Sequence, residues 1–213
     1  MKQRYREQSI TVGVDFDNTL VCYDTLFYRV AVERGLIRSQ TSPIKKLVRD
    51  SIRELPEGEI EWQKLQAVVY GPRIGEATPA PGSSEFLEEC ARHNIKVKII
   101  SHKTEYANYD ETGTNLRHAA VSWLEQHRFF DGPSCGLSKG DVYFESTRKD
   151  KLDRIGRLGC THFIDDLEEI FLEESFPTGV ATLLYAPTSL VSVPAAVEVA
   201  GDWRQLTEHL FHA

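Results

Sequence analysis

The sequence predicts an α/β fold: a three-layer sandwich around a mostly parallel, Rossmann-like sheet, with a small α-helical cap. Three observations support this class: the length of 213 residues, the alternation of short apolar runs with helical patterns, and one stretch in which that alternation fails. A chain of this length suits one domain with a modest insertion. Strands that alternate with helices predict a parallel sheet covered by helices on both faces.

Five short apolar, β-branched runs are predicted to be strands. The first, residues 10–17, ends abruptly in acidic residues, as a buried parallel strand does at its carboxyl end. The other four predicted strands are residues 95–100, 142–144, 162–164 and 180–185. Helical patterns separate and follow them at residues 83–93, 115–128, 151–158, 167–174 and 202–210.

Residues 21–81 contain no convincing strand pattern, and helical periods dominate there. Ser42 and Pro43 predict the start of an amphipathic helix that Pro56 ends, and further helices are expected before and after it. We interpret residues 21–81 as a small helical cap inserted into an α/β core formed by residues 1–20 and 82–213. Most charges of this insertion are expected to pair along helix faces, the alternative being that one or two arginines face an anionic substrate.

Composition and charge narrow the range of binding partners and cellular locations to be expected. The net charge of −7 argues against nucleic acid and against an anionic membrane surface as partners. No apolar run approaches the ~18 residues of a spanning helix, and no signal-type apolar region follows the first eight residues, so a cytoplasmic location is expected. The sequence does not indicate an oligomeric state.

The four cysteines are tens of residues apart and form no C-x-x-C pair. This spacing argues against a zinc cluster and against a redox motif. Free thiols are therefore expected at Cys22, Cys90, Cys135 and Cys160.

Acidic residues follow two of the predicted strands. Asp15 and Asp17 end the first, and Asp165 and Asp166 follow the strand at 162–164. In open α/β sheets, ligands bind at the carboxyl ends of the strands. Carboxylates that converge there repel each other, by about 4 kcal/mol for a pair 4 Å apart at an effective dielectric near 20. A cation is needed to hold them together, and Mg²⁺ suits such hard oxygen ligands.

Polar and basic residues accompany the acids. Ser101 and His102 follow the strand at 95–100, where a hydroxyl and amide groups can meet a phosphate oxygen. Lys149 and Lys151 lie at the start of the helix after the strand at 142–144. Either lysine can point back toward the acids.

Taken in order, these motifs resemble the haloacid dehalogenase superfamily, whose members are mostly phosphatases. The resemblance rests on Asp15-x-Asp17-x-Thr19, Ser101, the helix-starting lysine and the Asp165-Asp166 pair, and it covers residues 10–185. It implies that Asp15 is a nucleophile forming an aspartyl-phosphate and that Asp17 is a general acid and base. It also implies that Thr19 braces the bend and that Ser101, with His102 beside it, binds the phosphoryl group.

The resemblance further implies one phosphate-binding lysine and a Mg²⁺ site. Lys151, 14 residues before Asp165, is the preferred lysine, and Lys149 is the second candidate. The implied metal ligands are Asp15, the backbone carbonyl of Asp17, and an acid of the last pair. Asp166 is the preferred direct ligand, with Asp165 nearby or linked through water.

The leading hypothesis is a Mg²⁺-dependent phosphomonoester hydrolase for a small phosphorylated metabolite, a sugar phosphate or a nucleotide being the most common classes. The alternatives are a phosphomutase or other phosphotransferase, and a non-catalytic phosphate-binding regulatory module. A dehalogenase is disfavoured because a halide leaving group does not need the acid that Asp17 supplies.

Overall fold

A six-stranded parallel sheet lies at the centre of the computed structural model, which describes residues 9–131, 136–187 and 194–212. The strands are β1 Thr11–Val14, β4 Lys96–His102, β5 Val142–Glu145, β6 His162–Asp165, β7 Ala181–Tyr185 and β8 Val197–Ala200. Their order in the sheet is β5-β4-β1-β6-β7-β8, with all neighbours parallel. A separate antiparallel pair joins β2 Val21–Cys22 to β3 Thr78–Pro79.

Helices cover both faces of the sheet. Those of the core are α4 Ser83–Arg92, α5 Leu116–Gln126, α6 Arg148–Arg157, α7 Glu168–Phe171 and α8 Trp203–His212. One hydrophobic cluster joins the sheet to α4, α5 and α8, and a second joins it to α6 and α7. The predicted three-layer α/β sandwich is therefore confirmed.

The insertion is helical, with α1 Asp24–Glu33, α2 Lys45–Arg53 and α3 Gly58–Tyr70, followed by a 3₁₀ turn at Ile74–Glu76. The expectation of no strand between residues 21 and 81 is wrong, because β2 and β3 pair the two ends of the insertion. The helix expected to start at Ser42-Pro43 begins at Lys45, since Ile44 is still extended, with φ −64° and ψ 122°.

Three other expectations need correction. β8 was not predicted, because Val197–Ala200 is a run of only four residues, too short for a clear alternating pattern. α6 begins at Arg148, where the Thr147 side chain accepts a hydrogen bond from the backbone N–H of Asp150 and caps the helix. α7 ends at Phe171, earlier than the pattern to residue 174 indicates.

Cys22, Cys90 and Cys160 are free thiols, as expected, and Cys135 lies outside the described residues. Burial raises the pKa of the Cys90 thiol to about 12. Among the helices of the described ranges, none is both long enough and apolar enough to cross a membrane.

Candidate active site

Three carboxylates meet at the carboxyl ends of two neighbouring strands. Asp15 directly follows β1, Asp165 is the last residue of β6, and Asp166 follows it. The backbone N–H of Asp15 donates to Ile164 O at 2.9 Å, so the parallel pairing of β1 with β6 continues up to the acids. One oxygen from each carboxylate lies within 4.8 Å of the others. We call these three residues the carboxylate cluster.

Lys151 joins two members of the carboxylate cluster from the first turn of α6. Its Nζ donates to Asp15 Oδ1 and to Asp165 Oδ2, both at 2.6 Å. Lys151 is only 2% exposed, whereas Lys149 is exposed on the same helix. Of the two lysines that the sequence left open, the structure therefore brings Lys151 to the acids.

The protonation of the cluster reflects its burial and its excess of negative charge. Burial raises the pKa of Asp15 to about 7, with the charges of Asp165 and Asp17 adding to the rise and Lys151 opposing it. Burial and the two neighbouring carboxylates also hold the pKa of Asp166 well above its usual range. The pKa of Lys151 is raised, because Asp15 and Asp165 outweigh the effect of burial on its charge. Lys151 supplies one positive charge to three carboxyl groups, so it cannot neutralise all of them when they are ionised.

Asp17 lies on a turn after β1 and has a different set of partners. Lys103 Nζ approaches its two carboxylate oxygens at 2.8 and 3.1 Å, and the Tyr23 hydroxyl donates to Oδ1 at 2.7 Å. The turn is tight: Asn18 has a φ of 59°, and the backbone N–H groups of residues 20 and 21 both donate to Phe16 O. The Asp17 carboxylate lies outside the carboxylate cluster. Its expected contribution to a metal site is through the backbone carbonyl, which stays a prediction.

Lys103 is a buried site residue that the sequence reasoning missed. A signal was present, because side chains two residues apart on an extended chain point to the same side. Lys103 stands two positions after Ser101, so the same face of that segment carries both. Lys103 also lies over the rings of Phe16 and Tyr70, with Nζ 5.5 and 5.0 Å from their centroids.

The other predicted phosphate-binding residues differ in their surroundings. Ser101 is buried near the end of β4. His102 is exposed, and its Nε2 lies 3.1 Å from Ser146 O, so the structure does not bring its ring to the acids. Thr19 is fully buried, and its hydroxyl has no hydrogen-bond partner among the described residues. The roles of these three residues remain predictions.

A cleft of about 720 Å³ opens beside the carboxylate cluster, between the core and the insertion. Its walls include Asn18, Asp166 and Leu167 from the core and Lys45, Arg49 and Trp62 from the insertion. We call this space the cap–core cleft. A small ligand bound there can contact Asp166 of the carboxylate cluster on one side and α2 and α3 on the other.

Comparison with known proteins identifies the fold. No family model matches the sequence, and no curated protein matches it. A haloacid dehalogenase-like hydrolase from Streptococcus pneumoniae aligns over 95% of this chain and 99% of its own, with 18% identity and a TM-score of 0.58. A subfamily IA hydrolase of the same superfamily from Geobacter sulfurreducens aligns over 94% and 96%, with 14% identity and a TM-score of 0.57.

A dehalogenase solved as an intermediate complex is also similar, with 14% identity, 95% and 97% coverage and a TM-score of 0.55. At such low identities the likeness concerns the fold and leaves the reaction open. The chain therefore has the fold of the haloacid dehalogenase superfamily, which confirms, at the level of the fold, the resemblance carried by its motifs.

Proposed function

We propose that this protein is a Mg²⁺-dependent phosphomonoester hydrolase that acts on a small phosphorylated metabolite through an aspartyl-phosphate on Asp15. The observation that carries the proposal is the carboxylate cluster bridged by Lys151 at the ends of β1 and β6. Buried acids with too little positive charge suit a site that receives a metal ion together with a phosphoryl group.

The donor set of the cluster fits Mg²⁺. All three members offer hard carboxylate oxygens, which are the ligands that this ion prefers. Asp165 already accepts from Lys151 with Oδ2 and from the backbone N–H of Leu167 with Oδ1, at 3.0 Å. Asp15 and Asp166 are therefore the carboxylates that would hold the ion, together with the backbone carbonyl of Asp17. When bound, Mg²⁺ would neutralise charge on the phosphoryl oxygens.

Asp15 is the nucleophile in this proposal. Among the described residues, its hydrogen bond from Lys151 goes to Oδ1, whose second lone pair would face the ion, and Oδ2 is left for attack on phosphorus. The new bond joins Oδ2 to phosphorus while the bond from phosphorus to the ester oxygen breaks. Lys151 keeps Asp15 oriented and acts as a fixed positive charge beside the phosphoryl group.

Asp17 is the proton donor and acceptor. It gives a proton to the departing ester oxygen, and it later takes a proton from the water that cleaves the aspartyl-phosphate. This second step releases orthophosphate and regenerates Asp15. Lys103 and Tyr23 position the carboxylate in the structure, and Asp17 has to exchange these contacts before it can reach the leaving oxygen.

The test is phosphate release from a broad phosphomonoester panel by the wild-type chain, Asp15→Asn and Asp17→Asn, with MgCl₂ or with EDTA. We expect activity only in the wild-type protein with Mg²⁺. Release of halide from 2-haloacids, measured in parallel, addresses the alternative raised by the similar dehalogenase. Halide release that survives Asp17→Asn, with no phosphate released from any ester, would overturn the proposal. Transfer of labelled phosphate to a second metabolite instead of water would indicate a phosphotransferase.

A further inference from the structure

A partly buried cation from the insertion lines the cap–core cleft. Lys45 is the first residue of α2, and its Nζ donates to Asn18 Oδ1 at 2.9 Å and to the Tyr70 hydroxyl at 2.8 Å. The ammonium also lies 5.0 Å from the centre of the Phe27 ring. Asn18 belongs to the turn that carries Asp17, so Lys45 connects the insertion to the catalytic loop.

The charge of Lys45 has neutral partners, in contrast to the other cations of the cleft. Arg53 pairs with Glu59 at 2.6 Å, and Arg49 pairs with Asp50 at 2.9 Å. Within the described ranges, the hydrogen-bond acceptors of Lys45 are an amide oxygen and a phenol oxygen. A charge that is partly withdrawn from water favours an ionic partner, and an ammonium has three protons to donate, of which these contacts use two. Lys45 therefore retains both a charge and a donor for an anion.

Lys45 remains a cation in this environment. Burial works against its charge, but the oxygen of Tyr70 and the carboxylates of Asp166 and Asp17 outweigh that effect, so its pKa is raised. An anion in the cleft would meet a full positive charge at neutral pH.

Apolar side chains stand beside this cation on both walls of the cleft. Ile44 directly precedes α2 and Leu47 lies in its first turn; they are 41% and 43% exposed, and Leu167 on the core side is 44% exposed. The buried residues of α2 are Val48 and Ile52, so Leu47 is left on the cleft side of the helix. Exposed apolar residues on facing walls suit the carbon skeleton of a ligand.

We propose that the cap–core cleft binds a second anionic group on the leaving part of the substrate, with Lys45 as its direct contact and Arg49 beside it. This inference rests on the proposed hydrolase function and specifies its substrate class. The substrate is then a compact phosphomonoester that also carries a carboxylate or a second phosphate. The phosphoryl group faces Asp15, and the second anion faces α2.

Matched substrate pairs test this proposal with the full chain and Mg²⁺. The carboxylate pair is 3-phosphoglycerate against glycerol 3-phosphate, and the phosphate pair is fructose 1,6-bisphosphate against fructose 6-phosphate. We expect kcat/KM to favour the doubly anionic member of at least one pair by about tenfold or more, which is about 1.4 kcal/mol. The pair that shows the preference identifies the second anion.

Variants then locate the preference. Lys45→Met should remove most of it through a higher KM for the doubly anionic substrate, and Lys45→Arg should keep part of it. Lys64→Met is the matched control. Lys64 lies on α3, pairs with Glu61 at 2.8 Å, and is not among the residues that line the cleft. This control should leave the ratio unchanged. If Lys45→Met does not fold, the proposal is tested by the kcat/KM ratios of the wild-type protein and by Arg49→Met, which should lower the preference for the doubly anionic substrate.

Two results would overturn the inference: equal kcat/KM within both pairs, or a Lys45→Met variant that lowers kcat for both members equally. The second result would mean that Lys45 holds the insertion against the core and does not bind the second anion. If no ester is hydrolysed, the proposed function fails separately. Calorimetric binding of 3-phosphoglycerate and glycerol 3-phosphate to Asp15→Asn then tests the anion preference directly, and equal affinities would count against it.

Discussion

The charges of the core and those of the insertion are arranged in opposite ways. In the core, Lys151 and Asp165 are 2% and 0% exposed, and they form a direct ion pair at 2.6 Å. In the insertion, Arg53 and Glu59 form a pair in which the two side chains are 44% and 54% exposed. Removing one partner of a buried pair leaves an uncompensated charge, whereas exposed pairs contribute little. Substitutions at the exposed ion pairs of the insertion should therefore cost little in folding, whereas substitutions at the buried ion pairs of the core should cost much more.

The strongest test of this contrast is Lys151→Met. It leaves Asp15 and Asp165 buried without their shared cation, so we expect a loss of about 3–5 kcal/mol in the free energy of unfolding, together with loss of activity. Urea denaturation measures the first and phosphate release the second. Lys149→Met, on the same helix but exposed, should change stability by no more than about 0.5 kcal/mol. Equal losses in the two variants would contradict the assignment of Lys151.

A second test uses pH and Mg²⁺. The pKa of Asp15 is about 7 in the folded protein against 3.8 for the free group, so between these values the folded state binds a proton that the unfolded state lacks. The stability that this proton contributes is complete below about pH 4 and is lost as the pH rises through 7. Mg²⁺ competes with the proton, so MgCl₂ should raise the Tm more at pH 8 than at pH 5.5.

Asp166→Asn is the control for the Mg²⁺ effect, since it removes one expected ligand and keeps nearly the same shape. Its Tm should respond much less to MgCl₂ at pH 8, when both proteins are scanned by calorimetry. A response that is equal at the two pH values, or unchanged in the variant, would argue against a metal ion at the carboxylate cluster.

A third test concerns the packing beneath the buried network. A Cβ placed on Gly13 would lie 2.5 Å from Cδ2 of Phe163, and Lys151 Nζ lies 5.4 Å from the centre of that ring. Gly13→Ala should therefore destabilise by about 1–3 kcal/mol, since the ring has to shift. Gly156→Ala is the control: its Cβ would meet Pro177 at an ordinary 3.6 Å, and alanine favours a helix by about 0.5–1 kcal/mol. Thermal denaturation should show a lower Tm for Gly13→Ala and a higher Tm for Gly156→Ala than for the wild-type protein.

The parts of the site that follow from strand ends could be predicted from the sequence. Asp15 and Asp165 were identifiable because each ends an apolar β-branched run, and such ends converge in a parallel sheet. Lys103 was missed although its spacing from Ser101 places both on one face, because that spacing does not show that the ammonium meets Asp17. Lys45 was missed as a site residue for a similar reason. An amphipathic pattern gives the faces of α2 but not the element that α2 meets across the cleft.

The smallest effect of a substitution on stability is expected at the ion pairs far from the cleft. Arg73 donates to Glu76 and Glu33, and Arg29 also pairs with Glu76, all on partly exposed side chains. Because water and salt screen such pairs, Arg73→Met should shift the Tm by no more than about 4 °C, and less in 0.5 M NaCl. Calorimetry at two salt concentrations measures this. A shift that is as large as that of Lys151→Met, and independent of salt, would mean that the charges of the insertion are as structural as those of the core, and the contrast between the two regions would fail.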